Sequence, residues 1–218
     1  MPSNMIPACL LLSLSVVMSY PISLIPDVEG EVQTDQVGIN STTYENSTLG
    51  IRIEHPTNWK PFEKTSAATN ADVIEFIPFV ENEHDPLAPF FSISIEDLEK
   101  VKVSQRVGNE SALGTRINKN SALEVLTERN LELAKSLPDF NITEFNRTSI
   151  LSGIPTYKIV YTFADPGSPL LPLFKSMNLW TAKDGKAYTI SYSASESEFS
   201  NHLETIQNMI DSFMIGKK

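Results

Sequence analysis

Glu81, Asn82, Glu83, His84 and Asp85 put four oxygen donors and an imidazole into five consecutive residues, the densest set of ligating groups in the chain. A calcium ion takes about six to eight oxygens, so Glu81, Glu83, His84 and Asp85 form an incomplete site on their own. Calcium held there would also draw on Glu96, Asp97 or backbone carbonyls. Charge runs are more often solvated faces, which makes a solvated loop the favoured reading of this segment. A second unusual stretch, DPGSPLLPLF at residues 165–174, crowds Leu170, Leu171, Leu173 and Phe174 into a Pro-rich connection. Apolar density in a loop can mark a partner-binding patch. The competing and favoured reading is a small satellite cluster tucked over a sheet edge.

Catalytic chemistry finds little support. The three histidines, His55, His84 and His202, are spaced neither as a paired-His metal motif nor as part of a triad. His202 follows Phe199 by three residues and is expected to border a buried helical stripe, and His55 precedes a proline in a turn. No GxSxG, HExxH, P-loop or GxGxxG pattern is present, so neither an enzyme nor a resident cofactor is expected. The single cysteine, Cys9, lies inside an apolar N-terminal run, which leaves a processed chain without a thiol. A net charge of −10 and a pI near 4.8 repel phosphate backbones and anionic lipid surfaces, which excludes nucleic acid as a partner.

The N-terminal run MIPACLLLSLSVVMSYPISLI, residues 5–25, carries no charge, and its apolar heart has the length of a signal-peptide h-region. Residues 1–19 are expected to be a signal peptide or an N-terminal anchor. The membrane would be touched only if this segment stays uncleaved. Residues 20–43 are acidic and polar, too poor in large apolar side chains to offset their ordering entropy, and read as a flexible linker. Residues 44–218 are then one domain, a size at which a single core is the rule. Asn-x-Ser/Thr triplets at Asn40, Asn46, Asn109, Asn141 and Asn146 point to an extracellular or cell-envelope surface that N-linked sugar could decorate.

The elements of that domain show in its periodicities. Ile51 and Ile53 alternate with Arg52 and Glu54 before HPTNW breaks the pattern into a turn. ADVIEFIPF and FFSISIEDL read as strands, the second with Phe91, Ile93 and Ile95 inward and Ser92, Ser94 and Glu96 outward. Val101–Lys119 lacks a sustained period and is expected to be a loop. Ser121 with Glu124 forms a capping box ahead of Leu123, Leu126, Leu133 and Leu137, and Pro138 stops that helix. Ser152-Gly153 and Asp184-Gly185 then close two hairpins, because both pairs accept the positive φ angles of primed turns. A last helix is expected from Ser195 and Glu198, with Phe199, Leu203, Ile206, Ile210 and Phe213 on one stripe and Gly216 at its end. Strands, helix, four-stranded meander and helix describe an α+β domain, an antiparallel sheet packed by helices.

Ordered short patterns also resemble a known family. LGIRIEHPTNW, ILSGIPTYKIVY, the set Trp180, Asp184, Gly185, Lys186, Tyr188 and Tyr192, and MIDSF are similar in order and spacing to PsbP-like domains. The resemblance implies an antiparallel β-sheet sandwiched between helices, an α/β/α sandwich, and an extracytoplasmic, non-enzymatic role. The best-known relatives are extrinsic subunits of photosystem II that help retain calcium and chloride. This chain lacks a basic docking stretch, and its long linker resembles that of free-standing archaeal exported members. The expected function is therefore a non-catalytic binding or assembly module of the cell envelope with a protein partner. A calcium-binding surface domain and a photosystem-type subunit are the alternatives.

Overall fold

The computed structural model describes residues 40–66, 70–79, 87–99, 119–167 and 171–216. The expected signal segment, nearly all of the expected linker and, but for Lys119, the loop expected at Val101–Lys119 lie outside them. The elements run in the order β1 (Ser41–Asn46), β2 (Ile51–Pro56), β3 (Trp59–Thr65), β4 (Asp72–Pro78), β5 (Phe90–Asp97) and α1 (Lys119–Lys135). There follow β6 (Asn141–Leu151), β7 (Ile154–Phe163), β8 (Phe174–Lys183), β9 (Lys186–Ser195), a 3-10 turn (Phe199–His202), α2 (Leu203–Ser212) and β10 (Met214–Ile215).

Seven strands form one antiparallel sheet in the order β3-β4-β5-β9-β8-β7-β6, and β1, β2 and β10 form a second, small sheet. The two turn signals produce the hairpins expected of them. Ser152 and Gly153 have φ of 52° and 74°, and Asp184 and Gly185 have 50° and 77°, so β6 pairs with β7 and β8 with β9 across two-residue loops.

Pleat alternation sends side chains of the large sheet to two faces. On the first face, Ile74, Phe76, Phe91, Ile93, Ile95, Ile190 and Tyr192 pack against Ile51 and Ile53 of β2 and Ile206, Met209 and Ile210 of α2. On the second, Tyr161, Phe163 and Trp180 pack against Leu126 and Ala134 of α1. The result is the α/β/α sandwich the sequence suggests, with one addition. The small sheet shares the first face with α2, and β10 closes it by pairing Ile215 with Ile51.

Several local expectations are corrected. Strand β1 begins at Ser41, three residues ahead of the expected domain start at Tyr44, and pairs along all of β2. HPTNW is not only a turn: Trp59, 3% exposed, anchors a further strand, β3, along β4. Ser121 lies inside α1, which begins at Lys119, so it is not the cap. Ser195 Oγ does accept the Glu198 N–H at 3.3 Å, but the 3-10 turn intervenes before α2. Leu203 is 38% exposed and Met209 takes its place in the buried stripe. Ser92 and Glu96 of β5, expected outward, are 7% and 8% exposed, since the second face is covered as well.

Candidate functional site

The second face of the large sheet changes character along its width. Between the apolar cluster under α1 and the β3 edge, strand register aligns small polar side chains in rows. Phe90, Ser193 and Ser176 form one row; Ser92, Ser191 and Asn178 the next; Ser94, Thr189 and Trp180 a third; Glu96, Ala187 and Ala182 a fourth. The same strands put Phe91, Ile93, Ile190 and Tyr192 on the opposite face, so the polar choice is specific to this side.

Hydrogen bonds consume part of this polarity. Ser176 Oγ donates to Ser193 Oγ at 2.8 Å, and Asn178 Nδ2 donates to the Tyr161 hydroxyl at 3.2 Å. Burial raises the Tyr161 hydroxyl above the ordinary tyrosine pKa, with its Asn178 and Ser176 partners pulling the other way. Helix α1 is tied down by polar contacts as much as by apolar ones. Trp180 Nε1 donates to Thr127 Oγ1 at 2.8 Å, and Arg129 forms a two-pronged pair with Glu96.

The remainder is left over. Among the described residues, the buried side-chain atoms without a hydrogen-bond partner are Ser94 Oγ, Asn178 Oδ1, Arg129 Nε and Asn130 Nδ2. Two belong to the polar rows and two to α1, the helix on the same side of the sheet. Buried polar groups left unmatched cost about 1–3 kcal/mol each, and all four lie on this side of the sheet.

The residues singled out from sequence fare differently. Glu81, Glu83, His84 and Asp85 lie outside the described residues, among which no group of three or more His, Cys, Asp or Glu could hold a metal ion. Leu170 also lies outside. Leu171 is half-buried against the second-face cluster, Leu173 is 40% exposed, and Phe174 does not belong to a surface patch. It opens β8 opposite Phe163, with ring centroids 5.7 Å apart in a stacked arrangement. Asn109 lies outside, Asn40 and Asn141 are exposed, and Asn46 and Asn146 are half-buried.

His55 is 5% exposed, with Nδ1 3.0 Å from the Pro56 carbonyl and its ring against Phe76. His202 meets Trp59 edge-on at 6.1 Å, and burial lowers its pKa against the pull of Glu198. No hydrogen bond among the described residues joins either ring to a serine or carboxylate. The polar rows themselves were missed from sequence. Their signal, serine at alternate positions in FFSISIED and KAYTISYSAS, is also the signature of a solvent-facing strand side. No helix among the described residues is long and apolar enough to cross a membrane.

A seven-stranded antiparallel sheet between two helical layers, with one face polar over part of its width, defines the class as an α+β sandwich. The profile of the PsbP-like protein family matches residues 23–215, and the chain belongs to that family. Its fold is similar to that of the cyanobacterial PsbP, CyanoP, of Synechocystis sp. PCC 6803, with 13% identity over 86% of this chain and 98% of that one and a TM-score of 0.51. LpqN, involved in cell envelope biogenesis of Mycobacterium tuberculosis, aligns at 13% identity over 83% and 93% with a TM-score of 0.49. A Ran-binding protein of Saccharomyces cerevisiae aligns at 13% identity over 81% and 96% with a TM-score of 0.46. No curated protein sequence matches the chain.

Proposed function

We propose that this PsbP-like protein is a non-catalytic, exported binding module of the cell envelope, and that its partner contacts the polar rows of the second sheet face beside α1. One observation carries the reading. Ser94 Oγ and Asn178 Oδ1 are enclosed yet unpaired, while the opposite side of the same strands packs Phe91, Ile93, Met177 and Leu179 into the core. A fold departs from its own packing rules where function requires it. The partner group that suits these rows both donates and accepts hydrogen bonds, as an extended peptide or a polar loop does. Export is supported by the uncharged apolar run at residues 5–25 and by the five Asn-x-Ser/Thr triplets.

Crosslinking in intact cells followed by purification of the tagged full chain tests this. A defined envelope protein should be recovered with the natural chain and lost with Ser191→Phe, which fills the half-buried centre of the rows. Leu173→Asp, on the Pro-rich connection, should leave recovery unchanged. Loss with Leu173→Asp and retention with Ser191→Phe would move the partner surface to that connection and overturn the assignment.

A further inference from the structure

The four Asn-x-Ser/Thr triplets among the described residues are alike in sequence and differ in geometry. An amide nitrogen is a poor nucleophile because its lone pair is delocalised into the carbonyl. Donors placed on the amide oxygen stabilise the imidate form, in which the negative charge sits on oxygen and the nitrogen has lost a proton. Asn146 has this arrangement: its Oδ1 accepts the Thr148 N–H at 2.7 Å and the Thr148 hydroxyl at 2.9 Å. Its Nδ2 makes no hydrogen bond among the described residues.

The other three do not share it. Asn46 spends Nδ2 on the Tyr44 hydroxyl at 3.3 Å and Oδ1 on the Leu49 N–H at 3.0 Å. In the Asn141 triplet, Thr143 donates its hydroxyl across the hairpin to the Val160 carbonyl at 3.1 Å. Asn40 immediately precedes β1, whose Thr42 lies within the ladder opposite His55. Asn141 and Asn146 both lie on β6, an edge of the large sheet, and each triplet spans a register shift, Ile142/Glu144 in one and Asn146/Ser149 in the other, so the hydroxyl partner and not the position separates them. Arg147 folds over the Phe145 and Tyr157 rings at 5.0 and 5.8 Å.

We infer that, of the four triplets among the described residues, Asn146 is the N-glycosylation acceptor that the folded chain presents, and that Asn40, Asn46 and Asn141 are not. The donor is an oligosaccharide linked through phosphate to a polyisoprenyl lipid. Asn146 Nδ2 attacks the anomeric carbon; the new N–C bond forms as the C–O bond to phosphate breaks, the electron pair leaves with the phosphate, and the Nδ2 proton passes to a base of the transferase. In the cell this step rests on export, since the sugar donor is used outside the cytoplasm. A sugar on β6 would also cover an open strand edge, the feature of a sheet most exposed to pairing with another chain.

The test is transfer in vitro to the natively folded full chain, in an Asn109→Gln background, using purified oligosaccharyltransferase and a polyisoprenyl-linked oligosaccharide. Modified peptides are located by mass spectrometry. Modification at Asn146 alone is expected, lost in Asn146→Gln and in Thr148→Val, while denaturant-unfolded chain should also accept at Asn40, Asn46 and Asn141. Transfer to Asn46 or Asn141 in the folded chain as fast as to Asn146, or none at Asn146, overturns the inference. Because this assay needs no export, transfer in vitro combined with an unmodified cytoplasmic chain in cells would refute the export reading alone.

Discussion

Arg129 of α1 holds Glu96 of β5 through two hydrogen bonds of 2.9 and 2.8 Å, with the two side chains only 12% and 8% exposed. The pair joins α1 to an interior strand of the large sheet. Its two charges are removed from water together, so each is costly once the other is gone.

Glu96→Ala is expected to destabilise the fold by about 3–5 kcal/mol, because it leaves the Arg129 guanidinium buried and unmatched. The double variant Glu96→Leu with Arg129→Met should recover most of that loss. Urea unfolding of Glu96→Leu, Arg129→Met and the double variant decides it. Additive losses would mean that the pair does not act as a unit.

Thr127→Val should cost about 1–3 kcal/mol, since it keeps the shape of the side chain while stranding the Trp180 indole N–H. Trp180 is fully buried and its N–H has Thr127 as acceptor, so its fluorescence on unfolding reports the same site. A stability equal to that of the natural chain would show that the bond is replaceable.

Gly185→Ala is expected to cost about 1–2 kcal/mol through backbone conformation alone. Gly185 has φ of 77°, and a Cβ there would meet nothing within 4 Å, so no clash contributes. Asparagine at this position should lose less than alanine, because it tolerates the left-handed region better. Thermal melts of the two variants compare them directly.

His202 sets a pH dependence whose sign is fixed by its lowered pKa. As pH falls below the ordinary histidine value of about 6.5, the unfolded chain takes the proton first and the folded state loses relative stability until its own lower pKa is passed. Above that range His202 contributes no slope. Chemical unfolding between about pH 5 and pH 8 should therefore show a smaller acid loss in His202→Gln than in the natural chain. An equal acid loss in both would assign the effect to other groups.

Much of the architecture was legible because it rests on local signals. Ser152-Gly153 and Asp184-Gly185 must turn the chain, and the period of two on either side fixes the register that follows. Strand β3 was hidden because KPFEKT has no buried alternation: after Trp59 every residue of it is exposed, as an edge strand permits. The polar rows were hidden for a different reason. Serine at alternate positions predicts a face toward solvent, and only the register across three strands brings Ser92, Ser191 and Asn178 together under partial cover. Likewise, no local signal in LPLF separates Phe174, which continues the β8 ladder against Phe163, from the exposed Leu173 one residue before it.

The most direct measurement of the binding reading is site-specific photocrosslinking in living cells, with the photoreactive side chain placed in turn at Thr189, at Ser191 and at Glu63 on the far edge strand. A discrete adduct in the envelope fraction from Thr189 and Ser191, absent from Glu63, is the expected result. Adducts of equal yield from all three positions, or a chain recovered from the cytoplasm without any, would contradict it.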